Sequence, residues 1–284
     1  MGVIGIVCPG GIGDILMSSS ILKYKDELWP NKDIVWYCLD VNKRVLLNIP
    51  GIKEIRPLIA ENYKYVWYHH DVDKMFTPCP WMNIYNSDKK LPPDTLFVDK
   101  PRLIFERDMG IKIPGPWHPC LEYTPEDDNF ALTLLECLPF KKTIMFETAY
   151  YSNQSFLNQD ILLKIISEIQ KTWGDCNFLF PSGGARALIP EGNGMFFCSK
   201  LTLPPIVALH NHVDAFISVS SGISCAVCSW SASPNIPKLG IIKNPLVDIS
   251  KISRGPISVA LNEKELFEKL PKFLNKEYDF IPIE

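Results

Sequence analysis

The sequence predicts an α/β protein built as two halves, each a parallel sheet with crossover helices. Three observations lead there. Short apolar runs recur along the chain and alternate with stretches of helical periodicity. Glycine- or serine-bearing loops follow several of those runs, as at Pro9 to Asp14, Pro181 to Gly184 and Ser220 to Ser224. A proline-rich break, IPGPWHPCLEYTP at 113 to 125, divides the alternation near its middle. At 284 residues the chain has room for one large domain or two of about 130 residues each. The break favours two, 1–122 and 123–284.

In the first half, Val3 to Val7 is a continuous apolar run, as expected for a strand buried on both faces. Ile15, Leu22 and Trp29 share one stripe at seven-residue spacing and stop at Pro30, which predicts a helix over 15–29. Ile34 to Leu39 reads as the second strand, Arg44 to Asn48 as a short helix and Tyr65 to Tyr68 as a third strand. Residues 76 to 101 hold five prolines and little periodicity, which predicts a long loop. A helix over Leu103 to Met109 precedes the break. Thr124, Pro125 and Asp127 then form a helix start: a capping hydroxyl, proline at the first helical position and an acid at the third.

The second half repeats the alternation. Strands are expected at Thr143 to Phe146, Asn177 to Phe180, near Phe196, at Ala215 to Val219 and at Lys238 to Ile242. Helices are expected at Gln159 to Thr172, Leu203 to Asn211, just after Ser220-Ser221-Gly222, and at Glu263 to Leu274, the last opened by a capping box of Asn262 and Glu265.

Composition removes several function classes. The net charge of −3 gives no electrostatic reason to expect nucleic acid or an anionic membrane as main partner. No apolar stretch reaches the roughly 18 residues of a spanning helix, and GVIGIV is interrupted by PGG, unlike a signal peptide. Nine scattered cysteines, an odd number, do not form a disulfide framework, and reduced thiols in the cytoplasm are the simpler reading. Cys225 and Cys228 form one CxxC with no second pair, and His69-His70 and His210-x-His212 have no acidic or cysteine companion at a usual spacing, so no metal is expected.

In open parallel sheets, ligands sit beyond the carboxyl ends of the strands, so the loops there are the candidate sites. In PGGIGDI, Gly11 and Gly13 let backbone amides approach a ligand, and the following helix turns its positive end toward it. The loop is not a dinucleotide fingerprint, because Leu16 stands where the third glycine would be. Asp14 reads equally as a helix-start acid or as a base. Ser220, Ser221, Gly222 and Ser224 at a helix start suit a diphosphate. Ser182, Gly183 and Gly184 form a similar loop, and Glu147 to Asn153 is polar and aromatic enough to line a sugar or base pocket.

The order of these loops resembles the ADP-heptose:lipopolysaccharide heptosyltransferases of glycosyltransferase family 9. The resemblance is carried by GGIGDILMSSSILKY, RVLLNIPGIKEI, FERDMGIKIPGP and PPIVALHNHVDAFISVSSGISCAV, and it spans most of the chain. It implies the GT-B fold, two Rossmann-like domains with parallel sheets facing across a cleft. It implies acceptor binding by 1–122 and nucleotide-sugar binding by 123–284, with the last helix, 263–274, able to pack back on the first domain. It implies an inverting, metal-independent glycosyltransferase without a cofactor, using Asp14 as base. The partners implied are a nucleotide-sugar donor and a glycan or glycolipid acceptor of lipopolysaccharide type, with no nucleic acid and at most peripheral membrane contact.

The chain departs from the family pattern on the donor side. Where the family commonly has Asp-Ser/Thr-Gly-x-x-His, this chain has Ser220-Ser221-Gly222-Ile223-Ser224-Cys225. Where the family has a His-Pro-Gly turn and then a basic pair, this chain has Glu147-Thr148-Ala149 and Asn153-Gln154-Ser155-Phe156. Arg186 and Lys200 are the nearby cations that could offset phosphate charge. Two other functions stay open at this point: a catalytically silent relative that binds a glycan or nucleotide or scaffolds other enzymes, and a nucleotide-sugar epimerase.

Overall fold

The computed structural model describes residues 2–47, 49–58, 71–79, 91–92, 94–148, 154–182, 189, 192 and 194–280. The chain divides into two compact units, Met1–Glu122 and Tyr123–Glu284. Both are α/β, and in both every strand pairing among the described residues is parallel.

The first unit runs β1 (Val3–Val7), α1 (Ile12–Ser19), α2 (Lys25–Leu28), β2 (Asp33–Leu39), α3 (Lys43–Leu46), β3 (Glu54–Leu58), β4 (Lys74–Phe76) and α4 (Lys100–Met109). The sheet order is β3-β2-β1-β4. From β1 the chain steps outward through β2 and β3, then returns to the other side of β1 as β4. The strand order therefore reverses between β1 and β4. Ile6, Trp36 and Phe76 are buried in this sheet, and Phe76 packs on Trp29 and Phe105 with ring centroids 5.4 and 5.7 Å apart.

Three expectations for this unit change. The single helix over 15–29 is α1, a tighter 3-10 stretch over Ser20–Tyr24, and the four-residue α2. Its serine run accounts for the break. The Ser19 hydroxyl donates back to the Leu16 carbonyl at 2.6 Å and accepts the Cys120 N–H at 3.0 Å, so a side chain competes with the helix's own ladder. The expected loop at 76 to 101 contains the end of β4 and the start of α4. Strand β3, not foreseen, is EIRPL, with only Leu58 buried. It pairs with β2 alone among the described strands, and an edge tolerates its Pro57. The expected strand Tyr65 to Tyr68 lies outside the described residues.

The second unit runs α5 (Pro125–Glu136), β5 (Thr143–Glu147), α6 (Gln159–Trp173), β6 (Asn177–Phe180), β7 (Met195–Phe197), α7 (Leu203–His210), β8 (Ala215–Val219), α8 (Gly222–Ala226), β9 (Lys238–Ile241), β10 (Ile257–Ala260) and α9 (Glu263–Leu274). The sheet order is β10-β9-β8-β5-β6-β7, so here the reversal falls between β5 and β8. Period-2 alternation divides the core into two layers. Ile144, Phe146, Phe178, Phe180, Ile217 and Val219 meet α6 and α9 on one face, while Met145, Leu179 and Phe216 meet α7 on the other. Burial on both faces is why these strands are largely apolar, with Ser218 the polar position inside β8.

The capping expectations appear as hydrogen bonds. Thr124 Oγ1 accepts the Asp127 N–H at 3.2 Å, and Asp127 Oδ2 accepts the Thr124 N–H at 2.9 Å. Asn262 Oδ1 accepts the Glu265 N–H at 3.0 Å. Leu266, Leu270, Phe273 and Leu274 of α9 lie in the core of the second unit against α6. Strand β10 was also unforeseen. Ile257 exchanges both backbone hydrogen bonds with Phe280, at 2.9 and 3.1 Å, and Lys269 Nζ donates to the Val259 carbonyl at 2.6 Å, so this sheet edge is covered.

Candidate functional site

Strand reversals create crevices at the carboxyl ends of the two strands involved, where neighbouring loops leave the sheet in opposite directions. In the first unit those loops are Cys8 to Gly11, after β1, and Thr77 to Cys79, after β4. Asp14 follows the first of them, in the opening turn of α1. It is the third residue of α1, 7% exposed, and its Oδ2 accepts the N–H of Gly11, the helix N-cap, at 2.8 Å. This is half of a capping box, because Gly11 has no side chain to return the bond. The carboxylate is thus held at a helix start, where backbone amides and the dipole favour its charged form.

The glycine requirement sits one residue earlier than the sequence indicates. Gly13 is inside α1, and a Cβ on Gly11 would come no closer than 3.9 Å to Asp14 Oδ2. A Cβ on Gly10 would stand 2.3 Å from Asp14 Oδ2 and 2.6 Å from its Cβ. Gly10 is therefore the residue that lets the aspartate lie across the loop. Its carbonyl accepts from Asn42 Nδ2 at 2.9 Å, reaching over from the turn after β2. Neither Gly10 nor Asn42 stood out in the sequence, although the diglycine and the cap-type residue shortly after a strand were both visible there.

Two buried thiols flank this loop. The Cys8 thiol is hydrogen-bonded with the Cys79 thiol and lies 3.7 Å from the Ser18 hydroxyl. That hydrogen bond, then burial, then the charge of Asp14 push the Cys8 thiol well above its ordinary range, so it stays a neutral group beside the carboxylate.

In the second unit the reversal brings together the ends of β5 and β8, with Glu147 paired to Ser218, and β6 lies on the other side of β5. Glu147 is 1% exposed at the last position of β5. The buried Thr148 hydroxyl follows it, and the Ser182 hydroxyl follows β6. Neither hydroxyl has a hydrogen-bond partner among the described residues. A buried hydroxyl left unsatisfied costs about 1–3 kcal/mol, which a ligand atom would recover. Thr148 was not singled out in the sequence.

Ser221 and Ser224 behave differently from Thr148 and Ser182. Ser221 Oγ accepts the Ser224 N–H at 3.2 Å, while Ser224 Oγ accepts the Ser221 N–H at 2.8 Å and donates to the Ser221 carbonyl at 2.7 Å. Their hydroxyls complete a capping box at α8. Ser220 and Gly222 sit beside them at the carboxyl end of β8. Gly183, Gly184 and Arg186 lie outside the described residues, and Lys200 is exposed.

The histidine pair does not converge. His210 is buried against Phe216, with ring centroids 5.6 Å apart, whereas His212 Nε2 meets Asp128 Oδ1 at 2.7 Å. His69 and His70 lie outside the described residues. Among the described residues no three histidines, cysteines or carboxylates form a metal-binding group, all nine cysteines are free thiols, and no helix is long and apolar enough to cross a membrane.

No protein-family model matches the sequence, and no curated protein matches it. Solved structures do. A glycosyl transferase family 9 protein from Veillonella parvula superposes with a TM-score of 0.72 over 97% of this chain and 98% of its own, at 11% identity. Escherichia coli ADP-heptose lipopolysaccharide heptosyltransferase II gives 0.69 over 98% and 99%, at 12% identity. This is the GT-B fold. The E. coli heptosyltransferase WaaC, solved with ADP, shares it as well, with a TM-score of 0.64 over 97% of this chain and 99% of its own, at 12% identity. A GT-B fold carries two strand reversals, one per unit, and here Asp14 stands at the first while Glu147 and Ser220 stand at the second.

Proposed function

We propose that this protein is a glycosyltransferase that moves a sugar from a nucleotide-sugar to a hydroxyl of a glycan or lipopolysaccharide-type acceptor. The observation that carries the reading is Asp14: a buried carboxylate, pinned by the Gly11 amide at the strand reversal of the first unit, in a fold shared with heptosyltransferases. A sugar hydroxyl is a poor nucleophile until a positioned base accepts its proton. In this reading Asp14 takes that proton as the acceptor oxygen attacks the anomeric carbon. The bond from that carbon to the diphosphate breaks, and the configuration inverts.

The first unit binds the acceptor and the second the donor. Gly11 and Gly13 belong to the acceptor-side loop. Glu147, Ser182, Gly183, Gly184, Ser220, Ser221, Gly222 and Ser224 hold the nucleotide-sugar, joined by Thr148. The hydroxyls of Thr148 and Ser182, without a partner among the described residues, support this, as does a heptosyltransferase of the same fold having been solved with ADP. Backbone amides and hydroxyls at helix starts stabilise the leaving diphosphate, so no metal and no cofactor is required. The reaction belongs in the cytoplasm, where nucleotide-sugars are made, with at most peripheral contact to a membrane that holds the acceptor.

A second reading, binding of a nucleotide without turnover, is favoured by the cap at α8, since the Ser221 and Ser224 hydroxyls are already bonded to the backbone. One experiment separates them. The protein is offered UDP-, GDP-, ADP- and CMP-linked sugars with glycan acceptors, and nucleotide release is followed together with thermal stability. Turnover that survives chelation and falls about 10²–10⁴-fold in Asp14→Asn supports the transferase. A thermal shift without release supports the silent binder. Neither release nor shift removes both.

A further inference from the structure

The Gly10 carbonyl and the Gly11 N–H belong to one peptide group, and that group is held at both ends. Asn42 Nδ2 donates to its oxygen at 2.9 Å, and Asp14 Oδ2 accepts from its N–H at 2.8 Å. The two side chains come from different elements, Asn42 from the turn between β2 and α3 and Asp14 from the first turn of α1. We propose that Asn42 is a positioning residue for the Asp14 carboxylate, acting through the single peptide group between Gly10 and Gly11. The proposal rests on Asp14 being the base.

The flanking residues make this clamp consequential. A peptide group rotates as a unit when the ψ before it and the φ after it change together. With glycine on both sides, both signs of these angles are accessible. Rotation by half a turn would withdraw the N–H from Asp14 and present the carbonyl oxygen to it, setting two acceptors against each other. The bond to Asp14 resists that rotation from one side, and a donor on the far side, Asn42, resists it from the other. Two hydrogen bonds through one peptide also polarise one another, so the amide aimed at Asp14 is a stronger donor while Asn42 holds the oxygen. The Gly10 position leaves no room for a side chain that would restrict the rotation, since a Cβ there would collide with Asp14.

Asn42 is half-buried and makes no side-chain cap bond to α3, so its replacement leaves the helix start intact. The test uses the full chain with Asn42→Ala and Asn42→Asp, the second keeping the volume while removing the donor. Val41→Ser, at a neighbouring position that is 83% exposed, is the control. The carboxyl carbon-13 resonance of Asp14, assigned by its loss in Asp14→Asn, is titrated in each protein. A hydrogen bond to the charged form favours that form, so both Asn42 variants titrate at higher pH than the parent and Val41→Ser does not.

Where turnover is measurable, kcat falls on the order of ten- to a hundredfold with little change in KM, and the acid limb of the rate profile moves to higher pH. An unchanged Asp14 titration in both Asn42 variants overturns the proposal. Absence of turnover in the parent protein would instead remove the transferase reading, and the titration would still decide whether Asn42 acts on Asp14.

Discussion

Lys238→Met removes a buried cation and keeps the length of the side chain. Lys238 opens β9, is 1% exposed, and its ammonium donates one hydrogen bond, to the Ile236 carbonyl at 3.2 Å. No carboxylate pairs with it among the described residues. Burial pulls it down to about 8, the Arg254 charge adds to this, and Cys228 works against it. Relative to an ordinary lysine near 10.4, each pKa unit is about 1.36 kcal/mol, so the buried cation costs roughly 3 kcal/mol.

The sign is set by proton counts. Between about pH 8 and about 10.4 the unfolded chain holds a proton that the folded chain does not, so stability rises with pH across that window, and at pH 7 the full cost is present. Losing the bond to Ile236 takes back about 1 kcal/mol. Lys238→Met is therefore expected to gain roughly 2 kcal/mol at pH 7, or about 4–8 °C in the melting of a unit this size. Urea unfolding of both proteins at pH 7, 9 and 10.5 measures it, and the quantity to follow is their difference, because buried thiols such as Cys228, pushed up to about 11 by burial, titrate in the same range with the opposite sign. A difference that is flat with pH, or a variant less stable at pH 7, refutes the reasoning.

Two further outcomes follow from the same geometry. His210 is held well below its ordinary range by burial and then by the Lys238 charge, so it is neutral when folded and gains a proton on unfolding. Stability is lost as pH falls below about 6.5, and His210→Phe flattens that loss in urea titrations at pH 7 and 5. Gly10→Ala forces the Asp14 carboxylate aside, since the new Cβ would stand 2.3 Å from Oδ2. Turnover is expected to fall on the order of a hundredfold while circular dichroism stays native, and full activity in the variant would show that the aspartate's position does not matter.

Much of the fold was legible because it rests on local pattern. Strands β1, β5, β6 and β8 each carry a run of apolar residues, as a sheet covered on both faces requires. The helix starts at Thr124 and Asn262 were legible because their hydrogen bonds span only three residues. Strands β3 and β10 were not, because each lies at an edge of its described sheet and tolerates charged or small residues that an inner strand would not. The first helix was overestimated because its apolar stripe continues through the serines that break its ladder.

The sequence by itself determined that two α/β halves meet near residue 122, that an aspartate stands at the start of the helix after the first strand, and that serine-bearing turns follow β6 and β8. These are properties of residue order along one element. Only the tertiary structure decided which strands lie side by side. It put the reversals between β1 and β4 and between β5 and β8, brought Asn42 across 32 positions to Gly10, and left the Thr148 hydroxyl without a partner among the described residues. The physical reason is that parallel strands are joined by long crossovers, so the neighbours of a loop are set by sheet order and not by chain order.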